Sequence, residues 1–514
     1  MGVNNISIIN SAYSALEAAS AGMTVTSQNV AGASVDGFTR RQSNSIISHR
    51  SLNSWDFGNT AFSVEGFSRF TDGLLDSQMR DQKSKSSYTA SLLQAVNGLD
   101  TAMMDPSNSI ADAMSSFFNA AGTLASNTSS TTNIQSFAAS ATQVATRIST
   151  FNDTIKQLDA NTRANLTAIL DQANSIAPAL AKINLNILMG SVPGNATPSA
   201  DMLDERDRLT MQLQDLLGGK TIINSDGTAT FQIGGMALVD GQTANQFVNT
   251  DVSASVFNVQ LQSGDGLKHN IGFLSTVGAS LTKVGGGTYQ APAKTAFTGG
   301  QAGAALTLLN DFIPKMQRQV SSVALAFARD VNTTKQADGT TGITPIFGYK
   351  NTTTTGSSVI TDTPAVLGTY TATQLADMSD PNSSNYNAAI AAVVNGSSWD
   401  PNQFFSNINA GTNTTLSIDS TAANAIEKSR TNFSVPLSLI TSNVASTIAS
   451  WKSQDTANIS VATQLSNRKQ SVSGVNLDEE AANLVKFQQL YGAASKVLQT
   501  ANQMFATLLT AMNA

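Results

Sequence analysis

The chain contains no cysteine. Disulfides, thiol catalysis and thiolate metal sites are excluded together. Histidine is almost as scarce, with only His49 and His269, far apart in sequence. A histidine metal site or a serine triad would need much from these two, and both are expected to be ordinary polar residues. Charged residues make up 12% of the chain, about half the usual share. The net charge is −6, and no basic concentration proposes nucleic acid as a partner. No apolar run is long enough for a membrane-spanning helix. The first basic residue is Arg40, so the positive start of a cleaved secretory signal is missing. Alone, that predicts a cytoplasmic protein or one secreted without a cleaved signal. Proline is absent before Pro106 and after Pro436. Both ends are therefore free of the strongest helix breaker.

What remains is patterned. Hydrophobic residues are 41% of 514, enough for a core and for several domains. Ile9, Ala12, Leu16, Ala19, Met23, Thr26 and Val30 follow 3-4 spacing, one face of a helix that fades by Gly32. Turn chemistry follows at Asp36-Gly37, and 43–80 predicts irregular chain or short strands. A helix is expected over about 72–104, ended by Asp105-Pro106, and another over 107–125. From Phe137 through Ile148, Ile155, Leu166 and Ile176 to Ile187 the 3-4 alternation does not break. That stretch would be roughly 75 Å long if straight. Pro178 should kink or split it. A further helix is predicted over about 199–217.

The pattern changes at Gly218. TIINSDGTATFQIGG places Asp226-Gly227 as a two-residue turn between β-branched runs, a hairpin signal. Phe257, Val259 and Leu261 alternate as a strand does. Helix returns over 302–332. Residues 333–425 predict loops and strands with one short helix near 386–394, and helices resume at about 433–470 and 477–512. The fold class is α + β and multidomain: long helices of coiled-coil or bundle type, formed by both chain ends and the helical framework, with inserted β-rich domains. The expected units are a terminal assembly domain (1–45 with 473–514), a long-helix bundle (46–217, 299–345 and 426–472), an inserted β domain (218–298) and an outer insertion (346–425).

The last helix is the most clearly marked. Asn476 is a good N-cap, and Glu479 stands where a capping box places it. Asp478, Glu479 and Glu480 put negative charge at the positive end of the helix dipole. Leu477, Leu484, Phe487, Tyr491, Ala494, Leu498, Ala501, Phe505, Leu508 and Met512 form a stripe, with heptad spacing from Leu484 on. Burying its six large residues from Leu484 to Leu508 would contribute on the order of 10 kcal/mol. Either this stripe pairs with that of the first helix, or each packs on its own domain's core; pairing is the expectation.

Nothing specific to an enzyme is present. Gly219-Lys220-Thr221 resembles the tail of a phosphate-binding loop, but Gln214 stands where that loop needs glycine. The expected order of strand and helix is also reversed. LDERDRL (203–209) gathers five charges, with Asp204 and Arg208 spaced as a helical ion pair. A solvated or interdomain helix face is the reading that fits it. No catalytic residue, cofactor or metal is expected.

Two stretches carry a resemblance. NSAYSALEAASAGMTVTSQNVAGASVDGFTRRQ (10–42) resembles the N-terminal signature of the axial proteins of the bacterial flagellum, with Asn29, Val30 and Ala31 in place. Gly32 replaces that signature's second Asn, Asp36 its Pro and Phe38 its Tyr. SGVNLDEEAANLVKFQQLYGAASKVLQTANQMFATLL (473–509) is similar to the end of the hook-associated proteins that join hook to filament. The LDERDRL helix, the TATFQIGGMALVDG hairpin and the helix with Pro314 fit the same family. KQADGTTGITPIFG (335–348) lacks the family's His, and 350–425 has no match. The resemblance implies a non-enzymatic, self-assembling junction protein, exported unfolded by the flagellar type III apparatus to the outside of the cell, where it serves motility. It implies copies of itself in a ring, the hook protein, a second junction protein next to the filament and an export chaperone as partners, without membrane insertion. The assembly interface would comprise Ile9, Ala12, Leu16, Ala19, Met23 and Val30 with the C-terminal stripe from Leu477 to Leu508. The chaperone would meet Leu484, Tyr491, Leu498 and Phe505. The alternatives are another axial protein of hook or rod, or a secreted surface adhesin.

Overall fold

Helices of 30 residues and more build the frame of this computed structural model. It describes residues 2–35, 37–49, 60–104, 109–190, 199–249, 256–264, 266–275, 297–339, 346–350, 357–359, 404–408 and 416–512. In chain order these are α1 (Gly2–Gly32), β1 (Arg41–His49), β2 (Thr60–Arg69), α2 (Gly73–Met104), α3 (Ile110–Ser126), α4 (Thr131–Gly190) and α5 (Ala200–Leu217). Seven strands follow: β3 (Lys220–Ile223), β4 (Ala229–Ile233), β5 (Met236–Asp240), β6 (Thr243–Ala244), β7 (Gln246–Asn249), β8 (Val256–Gln262) and β9 (Lys268–Ser275). Then come α6 (Gly300–Thr307), α7 (Ile313–Asn332), β10 (Phe347–Lys350), β11 (Ser357–Val359), β12 (Phe404–Ser406), α8 (Ser420–Lys428), α9 (Arg430–Ser473) and α10 (Leu477–Met512). The short helix expected near 386–394 lies outside the described residues.

The unbroken stripe of α4 explains its length. The helix threads two hydrophobic cores. Ile134, Phe137, Val144 and Ile148 enter one with Phe117, Phe118, Phe327, Phe347 and Phe433. Ile155, Leu166, Ile169 and Leu180 enter the other with Leu213, Phe231 and Leu306. Pro178 does not split it: of the two expected outcomes, a kink or a break, the helix runs on without the break. A proline removes one helix bond, but the buried side chains around it, Ile176, Ala177, Leu180 and Ala181, hold both halves on one core. A second proline leaves a different trace. Pro314 follows directly on a π-turn at Leu308–Phe312 that joins α6 to α7. A widened turn is one way to absorb a missing backbone donor.

The inserted strands form two antiparallel sheets, β3-β4-β5-β6 and β7-β8-β9. The turn at Asp226-Gly227 is longer than two residues. Asn224 and Thr228 close it, and Gly227 takes the left-handed position at φ 83°. This is a three-residue hairpin loop, in which glycine relieves the steric cost of positive φ. Buried Asn184 of α4 ties this sheet down, donating to the carbonyls of Ala229 and Gly241 and accepting from the Ala229 N–H. Arg41–His49 and Thr60–Arg69 pair as two long antiparallel strands, β1 and β2, rather than irregular chain. The third sheet, β11-β10-β12, belongs to the stretch that follows α7.

α2 and α9 run side by side in opposite directions, joined by polar contacts. Lys469 pairs with Asp76 at 3.1 Å, Gln82 donates to the Asn458 carbonyl and Thr89 donates to Asp455. They carry the chain from the two cores towards its ends.

Candidate assembly interface

The two chain ends pack on each other. Gly22 meets Phe487, and Arg40, just beyond α1, meets Glu479 and Glu480 at the start of α10. The pair is therefore antiparallel. Its seam is made of small residues: Ala12, Ala19, Ala494 and Ala501 are buried. A Cβ at Gly22 would lie 2.5 Å from the Phe487 ring, so glycine lets the helices approach there.

The large residues of the stripe fare differently. Ile9, Leu16, Met23, Leu484, Phe487 and Leu498 are half-buried. Val30, Leu477, Tyr491 and Phe505 are exposed, Phe505 by 55%. The side chain of Leu508 lies outside the described residues. On α1, Thr26 of the expected stripe is buried, and Val25 and Asn29 are buried in the place that 3-4 spacing gave to Val30. A single partner helix thus leaves much of the expected burial energy unrealised.

Sequence reasoning missed a second row. Leu490, Val497 and Met504, each seven residues apart, lie exposed beside the first stripe. At about 100° per residue the whole apolar arc of α10 spans about 160°. One helix partner covers a narrower stripe than that. The sevenfold repeat was the available signal.

A charged clamp fixes the pair to the helical body. Asn29, fully buried at the end of α1, accepts from the Arg41 N–H at 2.9 Å and donates to the Arg41 carbonyl at 3.0 Å. The two arginines therefore leave the turn in defined directions. Arg40 bonds Glu479 at 2.7 Å and Glu480 at 2.9 Å, and these bonds raise its pKa against the opposing effect of burial. Glu479 is thus committed to Arg40, while Asn476 caps the Asp478 N–H. Arg41 lies over the Phe38 ring and reaches α5, bonding Asp201 at 2.6 Å and Asp204 at 3.1 Å. Arg69 of β2 bonds Asp204 at 2.7 Å and Asp207 at 2.9 Å. Burial pulls the Arg69 pKa down, but Asp207 and Asp204 more than offset it. Asp204 does not pair with Arg208, whose partner is Glu205. The helical ion pair expected from spacing gives way because Asp204 points inward, at two buried guanidinium groups. Among the described residues no group of acidic side chains or histidines is arranged to hold a metal.

A family profile described as the helical domain of the flagellar hook-associated protein FlgK matches residues 96–344. A second, the C-terminal region of the flagellar basal body rod proteins FlgEFG, matches residues 469–511. Flagellar hook-associated protein 1 of Escherichia coli K12 is 26% identical, over 98% of this chain and 99% of that protein. The chain is similar to flagellar hook-associated protein 1 along nearly the whole length of both chains. The Salmonella typhimurium member is also 26% identical, at 98% and 99% coverage. The Bacillus subtilis member is 24% identical over 44% of this chain and 47% of its own length. A solved structure of the flagellar hook junction protein FlgK from Burkholderia pseudomallei aligns at a TM-score of 0.42 and 21% identity, covering 53% of this chain and 47% of that one. The helices that match the hook-associated family carry the two cores, and the match to the rod-protein region falls on α10 and the turn before it.

Proposed function

We propose that the chain is a structural, non-enzymatic subunit at the junction between flagellar hook and filament, acting outside the cell. The observation that carries this reading is the α1–α10 pair with its half-covered apolar arc. A surface of that kind is at rest only when other helices complete it. Likeness to hook-associated proteins along nearly the whole chain says where such helices would come from. In this reading residues 1–45 and 473–514 are the assembly domain. That division is supported by the two hydrophobic cores, neither of which, among the described residues, draws one from α1 or α10. Copies of the chain would close into a ring, with the hook protein on one side and a second junction protein on the other.

Removal of the chain from its own cells tests the junction role. Electron microscopy is expected to show hooks without filaments, with filament subunits recovered from the medium. Normal filaments would refute it. The row Leu484, Tyr491, Leu498 and Phe505, half-buried at its leucines and exposed at its rings, is also the proposed seat of an export chaperone. Deletion of residues 477–512 is expected to abolish capture of that chaperone in a pull-down, and undiminished capture would remove the assignment.

A further inference from the structure

One arginine lies apart from the clamp and is unpaired. Arg80 of α2 is only 6% exposed. Among the described residues it makes no hydrogen bond and no ion pair. An unpartnered buried guanidinium costs several kcal/mol, so such groups are normally paired. Burial lowers its pKa from the usual arginine value, against the attraction of Asp207, Asp76 and Asp81. Each of these carboxylates is engaged elsewhere. Asp76 holds Lys469, Asp81 accepts from Gln214 at 3.0 Å, and Asp207 is shared by Arg69 and Arg206.

Arg80 lines a cavity of about 560 Å³ between α2, the α5–β3 connection and the β4–β5 turn. Arg41 Nε is sealed from solvent without a partner, but no Arg80 nitrogen is, so the Arg80 donors open onto the cavity. Lys220 stands exposed on the same wall, with Gly218-Gly219 beside it and Gly234-Gly235 opposite. The lining holds two cations and one carboxylate, Asp81. This is the Gly219-Lys220-Thr221 stretch whose order of elements ruled out a nucleotide loop. β3 follows it, and Thr221 gives its hydroxyl to Gln214 at 3.2 Å.

We propose that this cavity binds a small free oxyanion such as phosphate or sulfate, held by Arg80 and closed at its mouth by Lys220. The guanidinium offers two parallel donors to a tetrahedral anion, and at Gly235 a Cβ would meet nothing within 4 Å, so that part of the wall is open.

The test uses the full-length chain and inorganic phosphate, read by ³¹P line broadening. In parallel, thermal unfolding is followed in sulfate against chloride at equal ionic strength. Saturable broadening and a Tm that climbs with oxyanion concentration are expected. Arg80→Gln should weaken binding at least about tenfold, and Lys220→Gln should weaken it measurably. Arg80→Met should melt no lower than the unaltered chain in chloride, because an apolar side chain removes an unpaired buried charge, and should lose the sulfate response. Exposed Lys220 keeps the question open to test if either Arg80 variant fails to fold. An unaltered chain without a saturable response, or variants that titrate like it, would overturn the proposal.

Discussion

Replacing Leu484 and Leu498 together with aspartate should leave cells without filaments while the protein's body stays folded. Both leucines are half-buried against α1. Each substitution forfeits a share of the roughly 1.5–3 kcal/mol that burying a leucine contributes and sets a carboxylate against an apolar seam. Loss on the order of 5 kcal/mol is enough to separate a helix pair held mainly by alanines. The body should be untouched, because among the described residues its two cores take nothing from α10. The checks are swimming, electron microscopy and thermal unfolding of the purified variant. Motile, filament-bearing cells would end the interface assignment, and a collapsed Tm would show that the ends belong to the core after all.

The second large effect is expected at Asp204. Its carboxylate lies between Arg41 and Arg69, whose side chains are 5% and 9% exposed. Asp204→Ala strips a partner from both. Each keeps one other carboxylate, Asp201 for Arg41 and Asp207 for Arg69, so the cost should fall below the roughly 3–5 kcal/mol of a buried charge left with no partner. The damage should fall on the docking of the β1–β2 hairpin and the helix pair against α5, leaving both cores intact. Amide hydrogen exchange should therefore quicken around residues 38–43 and 67–70 and stay slow in α4. Asp204→Asn, which keeps the shape and some hydrogen bonding, should lie between. Unchanged exchange in the alanine variant would mean that the clamp contributes nothing to docking.

Much of the fold is legible in the sequence because its signals are local and repeated. The α4 stripe runs so long that its helix can be foreseen, and pairing of the chain ends follows from two matched stripes. The misses have physical causes. Pro178 carries the cost of a lost helix bond and left a kink or a break open; the core contacts that keep the helix continuous are invisible in one dimension. Spacing assigns Asp204 to Arg208, while its partners Arg41 and Arg69 lie more than 130 residues away in sequence. Asn29 looks like one letter of a turn, and its bonds to both sides of the Arg41 backbone show only in three dimensions. The row Leu490, Val497, Met504 is present in the sequence but is masked by the stronger stripe beside it.

The two flanks of α10 are unlike each other. One is the aliphatic row Leu490, Val497 and Met504; the other carries the ring of Tyr491 with Leu509 five turns further on. A two-fold dimer needs one patch that complements itself. Copies that meet through these flanks instead set one patch against a different one, head to tail. Each copy then repeats the same rotation from its neighbour, and such a series either closes into a ring or climbs as a helix. Handedness and polarity are thereby written into a single helix surface, and an assembly built on it has a distinct top and bottom.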